Sequence, residues 1–240
     1  MARLPRLVLP GALYHLIQRG NNRAPIVVDD VDRKAYLDAL RESARLHDLH
    51  VHAYALMDNH VHLLVTPMRE DSLARAMQTL GRRYVIAFNR RHARSGTLWE
   101  GRFRTALIEA PAYFMDLLRY VEQQPLRSGL CEEAADYPWS SAAHHLGRRR
   151  DPLVHEHAGY WALGNTPFER EAKYRLAMAA LLPAARLETV RRHVHSGWPL
   201  LSAEAAKTFE LTQQRPSAPR KRGRPLQPVP HAQNNDSDPI

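Results

Sequence analysis

The sequence predicts an α+β fold: an antiparallel sheet with helices on one face and an extra helix after the last strand. Three observations predict it. Apolar residues alternate with period 2 in four runs and recur every three or four residues in the runs between them. The runs succeed one another as strand, helix, strand, strand, helix, strand, followed by one more helix. Turn-forming residues, among them Gly20-Asn21-Asn22, Asp58-Asn59, Pro111 and Pro125, fall at the ends of runs. This order is the split β-α-β, or ferredoxin-like, arrangement.

Each element has its own local reason. Leu13 to Arg19 reads as the first strand, ended by Gly20-Asn21-Asn22. Asp29 and Asp30 supply acidic cap chemistry for a helix to about His47, with Leu37, Leu40 and Ala44 on one face. A second strand covers about Val51 to Met57, and after Asp58-Asn59 the strand from His60 returns as its antiparallel neighbour. Leu73, Ala76, Met77, Leu80, Tyr84, Ala87 and Phe88 mark a helix from about Ser72 to Arg91. A loop bounded by Gly96 and Gly101 leads to a fourth strand, about Phe103 to Glu109. Pro111 opens a helix to about Gln124, closed by Pro125, and its Phe114, Leu117, Leu118 and Val121 form the stripe that packs on the sheet.

The core domain is expected over residues 5–147, with a helical accessory region over 148–211. Residues 212–240 turn to Pro, Ser, Gln, Asn and Arg; such a segment cannot bury a core and is expected to be disordered.

Composition narrows the function. No apolar run approaches the roughly 20 residues of a membrane span, and the N-terminus has no signal-peptide pattern, so a cytoplasmic protein is expected. The single cysteine, Cys131, excludes an internal disulfide framework. Lys plus Arg outnumber Asp plus Glu by 34 to 25, a net charge of +9, and nearly all the cations are Arg. The guanidinium fork suits phosphate, so a nucleic-acid backbone is one reading and an arginine-rich genome composition the other.

The chemistry centres on His60 and His62. Strand alternation points both to one face and Val61, Leu63 and Val65 to the other. Two imidazoles on a sheet surface are half a site for a divalent metal, although 14 histidines would produce such a spacing by chance. Tyr120 and Gln124, four apart on the last helix, share a face and offer a phenolic and an amide oxygen. From helix pattern alone, Tyr120 as a core residue with an exposed hydroxyl is the favoured reading. His144, His145, His155, His157, His193 and His195 lack cysteine partners and zinc spacing, so surface or capping roles are expected.

At this point the chain resembles a known family. Gly11 to Arg23, Tyr54 to Pro67, Leu98 to Arg104, Leu118 to Leu130 and Asp136 to Ser141 follow, in order, the blocks of the single-tyrosine HUH transposases, in particular the REP-associated tyrosine transposases. The resemblance implies that Tyr120 attacks a phosphodiester of single-stranded DNA, giving a covalent 5′-phosphotyrosine. It implies that His60, His62 and Gln124 hold Mg²⁺ or Mn²⁺, where close relatives often have Asn in place of Gln124. The implied partner is single-stranded or hairpin DNA, including palindromic repeats, which would place the protein at the nucleoid. The oligomeric state stays open between monomer and homodimer. Two alternatives remain: a domesticated DNA-binding protein that has lost cutting, and a relaxase or replication initiator of the same chemistry.

The arginines suit a phosphate-lined groove. Arg82 and Arg83 lie off the apolar stripe of their helix, while Arg102, Arg104 and Arg127 flank the proposed site. In the tail, Arg220, Arg222 and Arg224 lie in Arg-Lys-Arg-Gly-Arg-Pro, which resembles an AT-hook, an extended segment that fits the narrow minor groove.

Overall fold

The computed structural model describes residues 7–219, so the tail arginines Arg220, Arg222 and Arg224 lie outside the described residues. The chain runs β1 (Leu13–Arg19), α1 (Asp30–Leu46), β2 (Leu49–Leu56), β3 (His60–Pro67), α2 (Ser72–Arg91), β4 (Arg104–Ile108) and α3 (Ala110–Glu122). Beyond these come α4 (Gln124–Arg127), α5 (Ala142–His145), α6 (Ala158–Trp161), α7 (Pro167–Met178), α8 (Ala184–Ser196) and α9 (Ala203–Gln213). The strands order as β2-β3-β1-β4, with every neighbouring pair antiparallel. This is the α+β, ferredoxin-like arrangement that the sequence predicts.

Local chemistry explains the elements. Asp29 caps α1, its carboxylate accepting from the N–H of Val31 at 3.0 Å and of Asp32 at 3.1 Å. Tyr36, Leu40 and Ala44 then share one buried line of the helix. On α2 the expected stripe is buried from Leu73 to Phe88, but Ala87 is exposed, one position off the line. β2 starts and ends earlier than expected, and a bulge between Val51 and Ala53 shifts its register on β3.

The pleat sorts the strands into two faces. Tyr14 and Leu16 of β1 and Val61, Leu63 and Val65 of β3 enter a core with α1 and α2. Leu13, Leu64, Ala53, Ala55, Ala106 and Ile108 meet Phe114, Leu117, Leu118 and Val121 of α3 on the other side. Tyr160 of α6, Tyr174 of α7, and Val190 and Val194 of α8 join that second core, so the accessory helices pack over the face that α3 covers.

Both sheet edges are covered. Residues 139–141 lie along β2, with Leu56 N–H donating to the Trp139 carbonyl at 2.9 Å and Ser141 N–H to that of Tyr54 at 3.0 Å. On the far edge, Leu200 N–H donates to the Leu107 carbonyl at 2.7 Å, and Glu109 N–H to that of Leu200 at 2.9 Å.

Candidate active site

The site forms where the second face of the sheet is left uncovered by the apolar packing. The register sets Ile17 of β1 opposite His62 of β3, and Arg19 opposite His60. Parity then puts His15, Ile17, His60 and His62 on one side. A cavity of about 490 Å³ opens there, lined by Ile17, Arg19, His60 and His62 from the sheet, Tyr120 from α3 and Gln124 from α4. Asn59, Glu100, Arg102, Arg104, Arg191 and His195 complete most of the wall.

The histidines are held in defined orientations. His60 and His62 ring centroids are 5.0 Å apart. His60 Nδ1 contacts Asn59 Oδ1 at 2.7 Å, and His62 Nδ1 contacts His15 Nε2 at 3.0 Å. Each Nδ1 is thereby engaged, which leaves Nε2 as the ring nitrogen free to serve a ligand. Burial depresses all three: His15 to about 3, His60 to about 4, and His62 well below its ordinary value. These rings are neutral near pH 7, with lone pairs open to a cation.

The His15 contact also bears on the tautomer. When His62 uses Nε2 as a ligand, its proton sits on Nδ1 and is donated to His15 Nε2. His15 then carries its own proton on Nδ1, which is buried without a partner. A bound cation would offset that cost.

Tyr120 stands edge-on to two of the rings, at 5.7 Å from His15 and 5.6 Å from His62, with interplanar angles of 87° and 84°. Its helix is fixed by the Phe114, Leu117, Leu118 and Val121 stripe below it. Glu122, two residues on, is fully buried and accepts from Ser141 Oγ, from His145 Nδ1 at 2.7 Å and from the Tyr174 hydroxyl at 2.7 Å. A buried carboxylate needs such donors, and these three tie the end of α3 to the rest of the chain. The Arg127 guanidinium lies 4.8 Å from the centre of the Tyr120 ring and donates to the Tyr120 carbonyl. Desolvation lowers the Arg127 pKa to about 10, so it keeps its charge at neutral pH.

The expected residues are placed unevenly. His60, His62, Tyr120, Gln124, Arg102 and Arg104 share the cavity, and Arg127 sits against Tyr120. Gln124 arrives differently from its expectation: α3 ends at Glu122, and Gln124 opens the short α4 that contains Pro125. The break falls on Gln123, and Gln124 is helical even though it precedes Pro125, a position where proline disfavours helical angles. Arg82 and Arg83 stand apart, exposed on α2 across the sheet, with Arg83 paired to Glu42. Trp99 packs on Tyr36 and Tyr84 in the first core.

One histidine departs from surface or capping roles: His145 is buried against Glu122. His195 is exposed, as expected, and lines the cavity, while His157 caps α6, its Nδ1 accepting from Gly159 N–H at 2.9 Å. His15, Arg19, Arg23, Arg191 and His195 are site residues that the motifs did not single out. For His15 the signal was present, since its strand alternates Leu13, His15, Ile17, Arg19.

No group of three or more His, Cys, Asp or Glu among the described residues is arranged to hold a metal ion. Were a cation held at His60 and His62, Gln124 of the same cavity lining would be available as a third donor. That set fits a divalent cation that retains open positions: two neutral imidazoles and a neutral amide leave its charge uncompensated for an anionic partner.

Comparison with known proteins relates the part of the chain that carries this cavity to a family. Residues 9–124, which carry β1 through α3 and Gln124, match the model of the IS200-like transposase family. They belong to that family and form an IS200-like transposase domain. A solved REP-associated tyrosine transposase bound to a REP hairpin matches with 16% identity and a TM-score of 0.53, over 65% of this chain and 92% of that one. At that identity the likeness establishes a shared fold. A Deinococcus radiodurans R1 protein described as a transposase aligns at 26% identity and a TM-score of 0.35, over 51% of this chain and 98% of that one. A search of curated proteins finds no match. No helix among the described residues is long and apolar enough to cross a membrane.

Proposed function

We propose that this transposase nicks single-stranded DNA and transfers the cut strand, with Tyr120 as nucleophile and His60, His62 and Gln124 as the residues that hold Mg²⁺ or Mn²⁺. The observation that carries this reading is the one cavity that brings these four side chains together among arginines. The Tyr120 oxygen attacks a backbone phosphorus, the bond from that phosphorus to the 3′ oxygen breaks, and the departing strand takes a proton as its free 3′-hydroxyl. The phosphotyrosine replaces one phosphodiester bond by another, so a 3′-hydroxyl can later attack it and regenerate the tyrosine without ATP.

Phosphoryl transfer asks the protein mainly for alignment and charge neutralisation. The packing of α3 fixes Tyr120, and Arg127, Arg102 and Arg104 supply positive charge beside it. A divalent ion, when bound, polarises the phosphate and offsets charge that develops on its oxygens. The structural neighbour was captured on a REP hairpin, which favours hairpin DNA of palindromic repeats as the substrate class here. Such a substrate would be met at the nucleoid.

The test uses the full chain, labelled single-stranded hairpin DNA and Mn²⁺. The wild type is expected to give a protein–DNA adduct that survives denaturation, and Tyr120→Phe to give none while still binding the DNA. An adduct formed by Tyr120→Phe would overturn the assignment of the nucleophile.

A further inference from the structure

The active-site cavity has a wall that the family match does not reach. α8 lies beyond residues 9–124, yet Arg191 and His195 of that helix line the same cavity as Tyr120, His60 and His62. Leu187, Val190 and Val194 form the apolar stripe that packs α8 into the second core. Arg191 and His195, four apart, fall on the neighbouring line of the helix and share a face.

The helix is fastened, so these two side chains project from a fixed base. Arg186 meets Asp116 of α3 at 3.4 Å, and its guanidinium lies 5.6 Å from the centre of the Tyr113 ring. Arg104 donates to the His195 carbonyl at 3.4 Å. Gly197 ends the helix with a left-handed φ of 74°, which suits glycine, and the chain then joins the β4 edge through Leu200.

Charge indicates what the wall faces. Arg19, Arg23, Arg102, Arg104 and Arg191 converge on a cavity whose one acidic lining residue is Glu100, and Arg19 takes that carboxylate at 2.5 Å. Converging cations with so little counter-charge are stabilised by a polyanion. Burial, followed by Arg104, Arg19 and Arg191, lowers the His195 pKa, so its ring serves as a neutral hydrogen-bonding group.

We propose that Arg191 and His195 are DNA-backbone contacts of the cutting site: Arg191 pairs with a phosphate flanking the attacked one, and His195 hydrogen-bonds to the backbone beside it. This rests on the reading of the cavity as the DNA site. The accessory region thereby completes the groove that the family domain begins.

The experiment measures affinity of the full chain for a fluorescent single-stranded oligonucleotide in EDTA, across a salt series. Arg191→Ala should bind about tenfold weaker, with a slope of log affinity against log salt shallower by about 0.7. Arg191→Lys should restore that slope, which a merely unfolded variant could not do. His195→Ala should weaken binding severalfold with the slope unchanged. Arg192→Ala, exposed on the same helix and outside the cavity lining, should change neither. Wild-type affinity and slope in Arg191→Ala would overturn the proposal, as would an equal loss in Arg192→Ala. Intact binding without any covalent adduct overturns the cutting chemistry and leaves this proposal standing. A wild type that binds no strand overturns both.

Discussion

β1 and β3 build two unlike surfaces from alternate residues. Toward α1 and α2 they present Tyr14, Leu16, Val61, Leu63 and Val65, all of them buried in a continuous apolar core. Toward α3 they present, beyond the packed Leu13 and Leu64, the cavity-lining Ile17, His60 and His62 with the buried His15 against His62. The first face stabilises the sheet through close packing. The second keeps neutral imidazoles out of water, which costs stability but leaves lone pairs and space for chemistry. The difference teaches a division of labour within single strands: one face serves stability throughout, and the other turns from packing at Leu13 and Leu64 to chemistry at His60 and His62.

The largest expected effect breaks the first face. Leu63 is fully buried between α1 and α2. Leu63→Ala should lower unfolding free energy by about 2–5 kcal/mol in denaturant titration, through lost burial and the cavity left behind. The fraction that stays folded should keep its DNA affinity per molecule. If stability drops by under about 1 kcal/mol, the face relaxes freely and the division just described does not hold.

How much of this was legible in the sequence follows from what each feature depends on. The sheet and the first pair of helices rest on local periodicity, and the Val61, Leu63, Val65 alternation already sets His60 and His62 on the other side. Tyr120 is likewise legible once the α3 stripe is drawn. For His15 the alternation gives the face but not the contact with His62, which depends on the β1–β3 register that tertiary packing settles. Helical spacing puts Gln124 on the helix of Tyr120, and the break at Gln123 moves it to α4. Arg191 and His195 have no local signal at all: a helix over 150 residues after β1 reaches the cavity by packing on α3. For Arg82 and Arg83 helical pattern shows exposure, but not that α2 lies across the sheet from the cavity.

A smaller effect sharpens the second face. His15 touches His62 Nδ1 at 3.0 Å, so it should orient that ring for ligation through Nε2. His15→Phe keeps a flat ring beside Tyr120 and removes the nitrogen. Isothermal titration with Mn²⁺ should show affinity reduced about 10–100-fold, with the thermal midpoint little changed. Unchanged Mn²⁺ affinity would mean that the contact only fills space.

The smallest effect concerns another buried histidine on the same side of the sheet. His52 Nδ1 contacts the His155 carbonyl oxygen at 2.6 Å, and its Nε2 contacts Thr66 Oγ1 at 2.8 Å. Burial lowers its pKa to about 3, well under the unfolded value of 6.5. The unfolded chain therefore binds a proton below about pH 6.5 that the folded chain refuses until about pH 3. Stability from the neutral ring is full above that window and declines as pH falls through it. His52→Gln offers an amide that can still bridge Thr66 and the His155 carbonyl, and it does not titrate. Between pH 6 and pH 4 the variant's unfolding free energy should fall less steeply, by up to ~1.4 kcal/mol per pH unit. His15, His60 and His62 remain, so part of the acid sensitivity should persist. Equal slopes for variant and wild type would show that His52 is protonated within the fold, its two contacts rearranged to accept the charge.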